Sequence, residues 1–78
     1  MSKMLTMYQV QNAISDKANS VRAKYIDATQ KVRAEMTPGP ARDFVISQLS
    51  IQMSRAVFDL NTAWEIVGEI IKDEEAKP

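Results

Sequence analysis

A single proline-bounded break divides the chain near its middle. Residues 37–40 read Thr-Pro-Gly-Pro, and no glycine or proline precedes them. Pro38 ends a helix, because its ring excludes the helical conformation for Thr37 and it has no backbone N–H to donate. Gly39 supplies the backbone angles of a turn, and Pro40 suits the first position of a helix. The segment therefore predicts a helix end, a turn and a helix start.

Apolar side chains recur every three or four residues on both sides of this break, as on one face of a helix. Before it they are Met7, Val10, Ile14, Ala18, Val21, Tyr25, Ala28 and Val32. After it they are Ile46, Leu49, Met53, Val57, Leu60, Trp64, Val67 and Ile71. We predict helices over about 6–36 and 40–72, with Thr6 and Gln9 as a capping box and 73–78 as a frayed, charged tail. A short connection between long helices favours one all-α domain, an antiparallel helical hairpin.

The second predicted helix is apolar over a wider face than one neighbouring helix can cover. Leaving its large side chains in water forfeits several kcal/mol at about 25 cal/mol per Å², which is comparable with the stability of a small domain. We therefore expect an unstable monomer that assembles into an oligomer or a helical filament. Gly68 lies inside this helix, where glycine is unfavourable, and so predicts close packing. The predicted interface residues are Phe44, Ile51, Val57, Phe58, Leu60, Trp64, Ile66, Val67, Ile70 and Ile71.

Charge is unevenly placed, although the chain is neutral as a whole. Residues 1–42 hold seven Lys/Arg and three Asp/Glu, and residues 43–78 hold three Lys/Arg and seven Asp/Glu. In a hairpin that turns near residue 39, neither the lysine row nor the acidic ridge faces its opposite charge. We expect them to pair between subunits that are shifted along the axis, which sets register more than affinity. The charge-pairing residues are Lys17, Lys24 and Lys31 in the row, and Glu65, Glu69 and Asp73 in the ridge.

The composition excludes several kinds of site. The chain has neither cysteine nor histidine, so disulfides, the usual zinc sites and histidine-based catalysis are absent. No apolar run approaches the roughly 18 residues that span a bilayer, and no signal-peptide pattern is present, so we expect no transmembrane segment. We interpret Asp73, Glu74 and Glu75 as a solvated helix end rather than a cation site. We interpret Glu65 and Glu69 as surface charge, and we expect no enzymatic activity and no cofactor.

A proline turn, a helix with glutamine and serine, and an apolar helix end follow one another in residues 37–73. The segment reads TPGPARDFVISQLSIQMSRAVFDLNTAWEIVGEIIKD. It resembles the needle and inner-rod subunits of type III secretion systems, through Pro38, Pro40, Gln48, Gln52, Ser54, Asn61 and Thr62. The resemblance implies a subunit that polymerises helically around a secretion channel and that a chaperone holds before export. It also implies a location in the cytoplasm before export and outside the cell or at the bacterial surface afterwards.

These observations lead us to expect a non-enzymatic structural subunit that self-assembles through its apolar helical faces. Its expected partners are further copies of itself, a secretion chaperone and other proteins of a secretion apparatus. Two alternatives stay open. One is a small helical chaperone or regulator that binds a partner helix of a secretion-type complex. The other is a dimeric hairpin that binds RNA through its lysine row, which the zero net charge and the few aromatic residues disfavour.

Overall fold

The computed structural model describes residues 3–77, with side chains described from Thr6 onward. Helix α1 spans Lys3–Glu35 and helix α2 spans Pro40–Ala76, and no strand occurs in this part of the chain. Side chains near the start of α1 contact the end of α2, so the helices are antiparallel. The all-α helical hairpin predicted from the sequence is confirmed.

The start of α1 differs from the prediction. The helix begins at Lys3 rather than near residue 6, so Thr6 lies inside the helix and is not its N-cap. The capping box of Thr6 and Gln9 is therefore wrong, because an N-cap residue must precede the first helical residue. The end of α1 at Glu35 is one residue earlier than expected, and the Met36 N–H still donates to the Val32 carbonyl at 2.9 Å.

The end of α2 also differs, and here the difference has a visible cause. Residues 73–76 continue the helix instead of fraying, and the Lys77 N–H closes its end on the Glu74 carbonyl at 3.3 Å. The Tyr8 hydroxyl donates to Glu75 Oε1 at 2.6 Å, which attaches the last turn of α2 to α1. The predicted frayed tail is wrong for residues 73–76, because the pairing of the helices brings Tyr8 to Glu75 and the residues around Glu75 do not indicate this partner. The last residue of the predicted tail lies outside the described residues.

The turn follows the prediction from its prolines and glycine. Pro40 occupies the first turn of α2, and Gly39 precedes it with φ 157° and ψ −176°, a region that only glycine enters readily. The Asp43 N–H donates to the Gly39 carbonyl at 3.0 Å and starts the ladder of α2. Arg42 Nη1 donates to the Arg33 carbonyl at 3.4 Å, where a positive charge suits the C-terminal end of α1.

The core of the hairpin is small. In the described part of the chain only Ala18 and Ile71 are buried, at 3% and 4% exposure. The Cα atoms extend over 62 × 18 × 8 Å, so the molecule is a thin, flat rod. Two helices touch along a single seam, and most apolar side chains next to it are only half-buried. A core of this size supplies little stability, which makes further burial against other molecules favourable.

Candidate assembly surface

Large apolar side chains remain exposed along α2. Phe44 is 65% exposed, Phe58 69% and Ile66 55%. With about 100° per residue, these positions point away from the buried Ile71 and therefore away from α1. We call the exposed set the outer apolar face, and it consists of Phe44, Ile51, Phe58, Ile66 and Ile70. On α1 the large exposed apolar residues in the described part are Tyr8, Val10 and Ile26.

The predicted interface residues thus separate into two groups. The outer apolar face is available to another molecule. Ile71 is not, because the hairpin itself buries it, and its place in the predicted interface has to be corrected. Val57, Leu60 and Val67 are half-buried on the side of α2 that faces α1. Trp64 belongs to both groups, because it lines a hollow with Ile14 and Ala18 and is still 43% exposed.

A groove of about 440 Å³ lies between the helices near the open end of the hairpin. Gln11 crosses it and donates from Nε2 to the Trp64 carbonyl at 3.3 Å. A Cβ atom on Gly68 would lie only 3.0 Å from Gln11 Nε2, so glycine leaves the room that this amide occupies. The packing reason predicted for Gly68 is a polar contact. Sequence reasoning missed Gln11, because only the pairing of the helices shows which side chain faces the glycine.

Acidic residues form the outer rim of this groove. Glu65 and Glu69 line it and are exposed, and Lys72 of the same helix lines it as well. The α1 side chains beside them, Tyr8 and Gln11, are uncharged at neutral pH. The α1 side chains that line the groove thus bring no charge opposite to Glu65 and Glu69. We call this surface the acidic groove, defined by Tyr8, Gln11, Glu65 and Glu69.

The hydrogen bond to Glu75 changes the acidity of Tyr8. It raises the pKa of the Tyr8 phenol above its ordinary value, because the carboxylate accepts a hydrogen bond from the neutral phenol and so favours the protonated form. Desolvation and the negative charge of Glu75 act in the same direction. The contact therefore depends on the protonated phenol, and it joins the two helices at the open end of the hairpin.

The lysine row lies on the other side of the flat hairpin. Taking Ala18 as the direction of α2, Lys17 and Lys24 point about 100–120° to one side, and Tyr8 points about 80° to the other. On α2, taking Ile71 as the direction of α1, Glu65 points about 120° and Glu69 about 160° away from it, and both line the groove together with Tyr8. We call the surface around Lys17 and Lys24 the lysine face.

The ion pairs in the described residues lie within single helices. Lys31 Nζ is 3.3 Å from Asp27 Oδ2, and Lys77 Nζ is 3.1 Å from Glu74 Oε1. Lys31 is therefore partly neutralised inside its own helix, which corrects the prediction that the whole lysine row lacks an opposite charge. Within the described part, Lys17, Lys24, Glu65, Glu69 and Asp73 make no ion pair.

Comparisons with known protein families, with curated proteins and with solved structures give no match to this chain. Neither described helix has a stretch apolar and long enough to cross a bilayer. The residues described also contain no group of acidic side chains arranged to hold a metal ion. The resemblance to secretion subunits stays a prediction, and the outer apolar face is the surface on which a function can be argued.

Proposed function

We propose that this chain is a structural subunit that assembles with copies of itself through the outer apolar face of α2. The observation that carries the proposal is the exposure of Phe44 and Phe58, at 65% and 69%, in a hairpin with a very small core. Exposed apolar patches of this kind mark interaction surfaces on soluble proteins. Their position along most of α2 suits a lateral contact between rods.

The energy available from this face is substantial. An aromatic side chain buries about 150–250 Å², so the exposed two thirds of each phenylalanine offers about 130 Å². At about 25 cal/mol per Å², covering one of them stabilises a contact by about 3 kcal/mol. Association costs about 4–15 kcal/mol in lost freedom of movement, so one phenylalanine is not enough. A contact has to cover several residues of the face at once.

The type of assembly that we propose is the needle or inner rod of a type III secretion system. Support comes from the residues of 37–73 that resemble those subunits and from the shape, a thin rod 62 Å long made of two helices. Such rods can pack side by side into a tube. A chaperone that covers the outer apolar face before assembly is then a required partner, since the face would otherwise drive premature association.

Static light scattering over a concentration series of the purified chain tests this proposal. We expect the average mass to rise from the 8.8 kDa subunit without reaching a plateau, and negative-stain microscopy to show filaments. The matched variant replaces Phe44 and Phe58 with serine. Both side chains are exposed in the hairpin, so circular dichroism should show retained helix while assembly is lost.

Two results would contradict the proposal. A wild-type chain that stays at one small, fixed mass would exclude open-ended assembly and would favour the alternative of a helical chaperone or regulator. A double serine variant that assembles as readily as the wild type would show that the outer apolar face is not the contact surface. Salt-sensitive binding of RNA by a fixed dimer would favour the alternative of a dimeric hairpin that binds RNA through its lysine row.

A further inference from the structure

The two charged surfaces of the hairpin lie on opposite sides of a flat molecule. The acidic groove presents Glu65 and Glu69, and the lysine face presents Lys17 and Lys24. None of these four side chains has an ion-pair partner in the described part of the chain. Lys72 also lines the groove but makes no ion pair in the described part of the chain, so each surface still presents unpaired charges opposite in sign to those of the other.

We propose that the acidic groove of one subunit receives the lysine face of the next copy, so that hairpins stack front to back. This inference rests on the proposed self-assembly and names the contact that sets its register. A second copy is the occupant that the charges favour, because the chain carries both complementary surfaces. Opposite charges across a contact select the partner and its orientation.

The positions along the rod fix the shift between neighbours. Gln11 contacts Trp64 and lies against Gly68, so Glu65 and Glu69 lie level with about residue 10 of α1. Lys17 and Lys24 are centred about ten residues further along α1. At ~1.5 Å per residue, the next subunit is displaced by about 15 Å along the axis. A rod with a long dimension of 62 Å still overlaps its neighbour over most of its length after this displacement.

The opposite placement of the two surfaces decides the symmetry. In a two-fold dimer the same side of both subunits meets itself, so the acidic groove would face another acidic groove. Bringing the groove onto the lysine face joins two different sides of the subunit. The front-to-back contact is therefore heterologous, which is the head-to-tail type in terms of symmetry. Such contacts leave one surface free at each end and continue into open-ended growth unless a ring closes.

Complementary charge reversal tests the contact. One variant carries Glu65→Lys and Glu69→Lys, and the other carries Lys17→Glu and Lys24→Glu. All four positions are exposed, so both variants should keep the helix content of the wild type. The control variant, Asp16→Lys with Asp27→Lys, has the same net charge as the first one. Its changes lie on the edge of α1 that points away from α2, and the ion pair with Lys31 that Asp27→Lys removes is exposed and contributes little.

We expect each reversal alone to raise the concentration needed for assembly about tenfold or more, since like charges then meet. An equimolar mixture of the two variants should restore open-ended growth, and the control should assemble like the wild type. Added salt should weaken wild-type assembly by screening the charges.

The outcomes separate this inference from the proposed function. Wild-type assembly that neither reversal nor salt changes would overturn the stacking contact and leave assembly through the outer apolar face in place. A mixture that stops at closed one-to-one pairs would overturn the head-to-tail arrangement. A control that assembles as poorly as the acidic-groove variant would show a general charge effect and overturn the specific contact. A wild-type chain that does not assemble would instead contradict the proposed function itself.

Discussion

Ile66 offers a quantitative test of the outer apolar face. Replacing it with alanine removes three carbon atoms. Burying three carbons completely stabilises a protein by about 2.4 kcal/mol, at ~0.8 kcal/mol per carbon. The hairpin leaves Ile66 55% exposed, so about 1.3 kcal/mol of this is gained only when another molecule covers the residue. A free-energy difference of about 1.4 kcal/mol corresponds to a tenfold change in an association constant. We therefore expect Ile66→Ala to raise the concentration needed for assembly about tenfold.

The assay is light scattering of both proteins over the same concentration series. The hairpin itself loses the remaining about 1.1 kcal/mol, and the higher helix propensity of alanine offsets part of this. Circular dichroism of the variant at the same concentrations should show retained helix, so that a loss of assembly reports the lost contact. Gln9→Ala is the control, because Gln9 is exposed on the edge of α1 that points away from α2. Equal assembly by Ile66→Ala and the wild type, or an equal loss with Gln9→Ala, would refute the reasoning.

Three further predictions concern the hairpin itself, measured by circular dichroism at concentrations below assembly. Gly39→Ala should destabilise it by about 1–2 kcal/mol, although no atom lies within 4 Å of the added Cβ, because φ 157° is strained for alanine; an unchanged melting temperature would contradict the turn geometry. Ile71→Ala should cost about 2–3 kcal/mol, whereas Ile70→Ala should cost about 1.4, because Ile70 is 42% exposed and the hairpin loses only the covered share of about 2.4 kcal/mol; equal losses would misplace the core. The Tyr8 pKa is raised on folding, so its contact stabilises below about pH 10 and is lost as pH rises above that value; the stability difference from Tyr8→Phe should shrink there, and a constant difference would contradict the contact.

The hairpin was predictable because its signals are local. The end of the first helix, the turn and the start of the second helix at residues 37–40 each depend on one residue and its neighbour. The apolar spacing of three and four residues indicates which side of each helix is covered. The turn position also fixes the approximate pairing of the helices, and Gln11 does lie level with Trp64 and Gly68.

The features that were missed depend on contacts between the two helices. Neither the tyrosine at position 8 nor the glutamate at position 75 indicates a partner by itself, so residues 73–76 were expected to fray. Gln11 became visible only beside Gly68. By contrast, the apolar repeat placed Ile71 rather than Ile70 on the stripe with Trp64 and Val67, and the structure buries Ile71 and leaves Ile70 42% exposed.

The assembly surface was predictable only in part. The width of the apolar face indicated that α1 could not cover it, and the exposure of Phe44, Phe58 and Ile66 agrees with that reasoning. The placement of the charges on opposite sides was not predictable from their spacing alone. It requires the direction of Ala18 and the residues that line the acidic groove.

Sedimentation velocity of the wild-type chain over a wide concentration range tests the central claim most directly. Open-ended self-assembly through the outer apolar face predicts a distribution of sedimentation coefficients that broadens and shifts to higher values with concentration, without a limiting species. A single slow boundary for the 8.8 kDa chain at every concentration, or a plateau at one small oligomer, would contradict it.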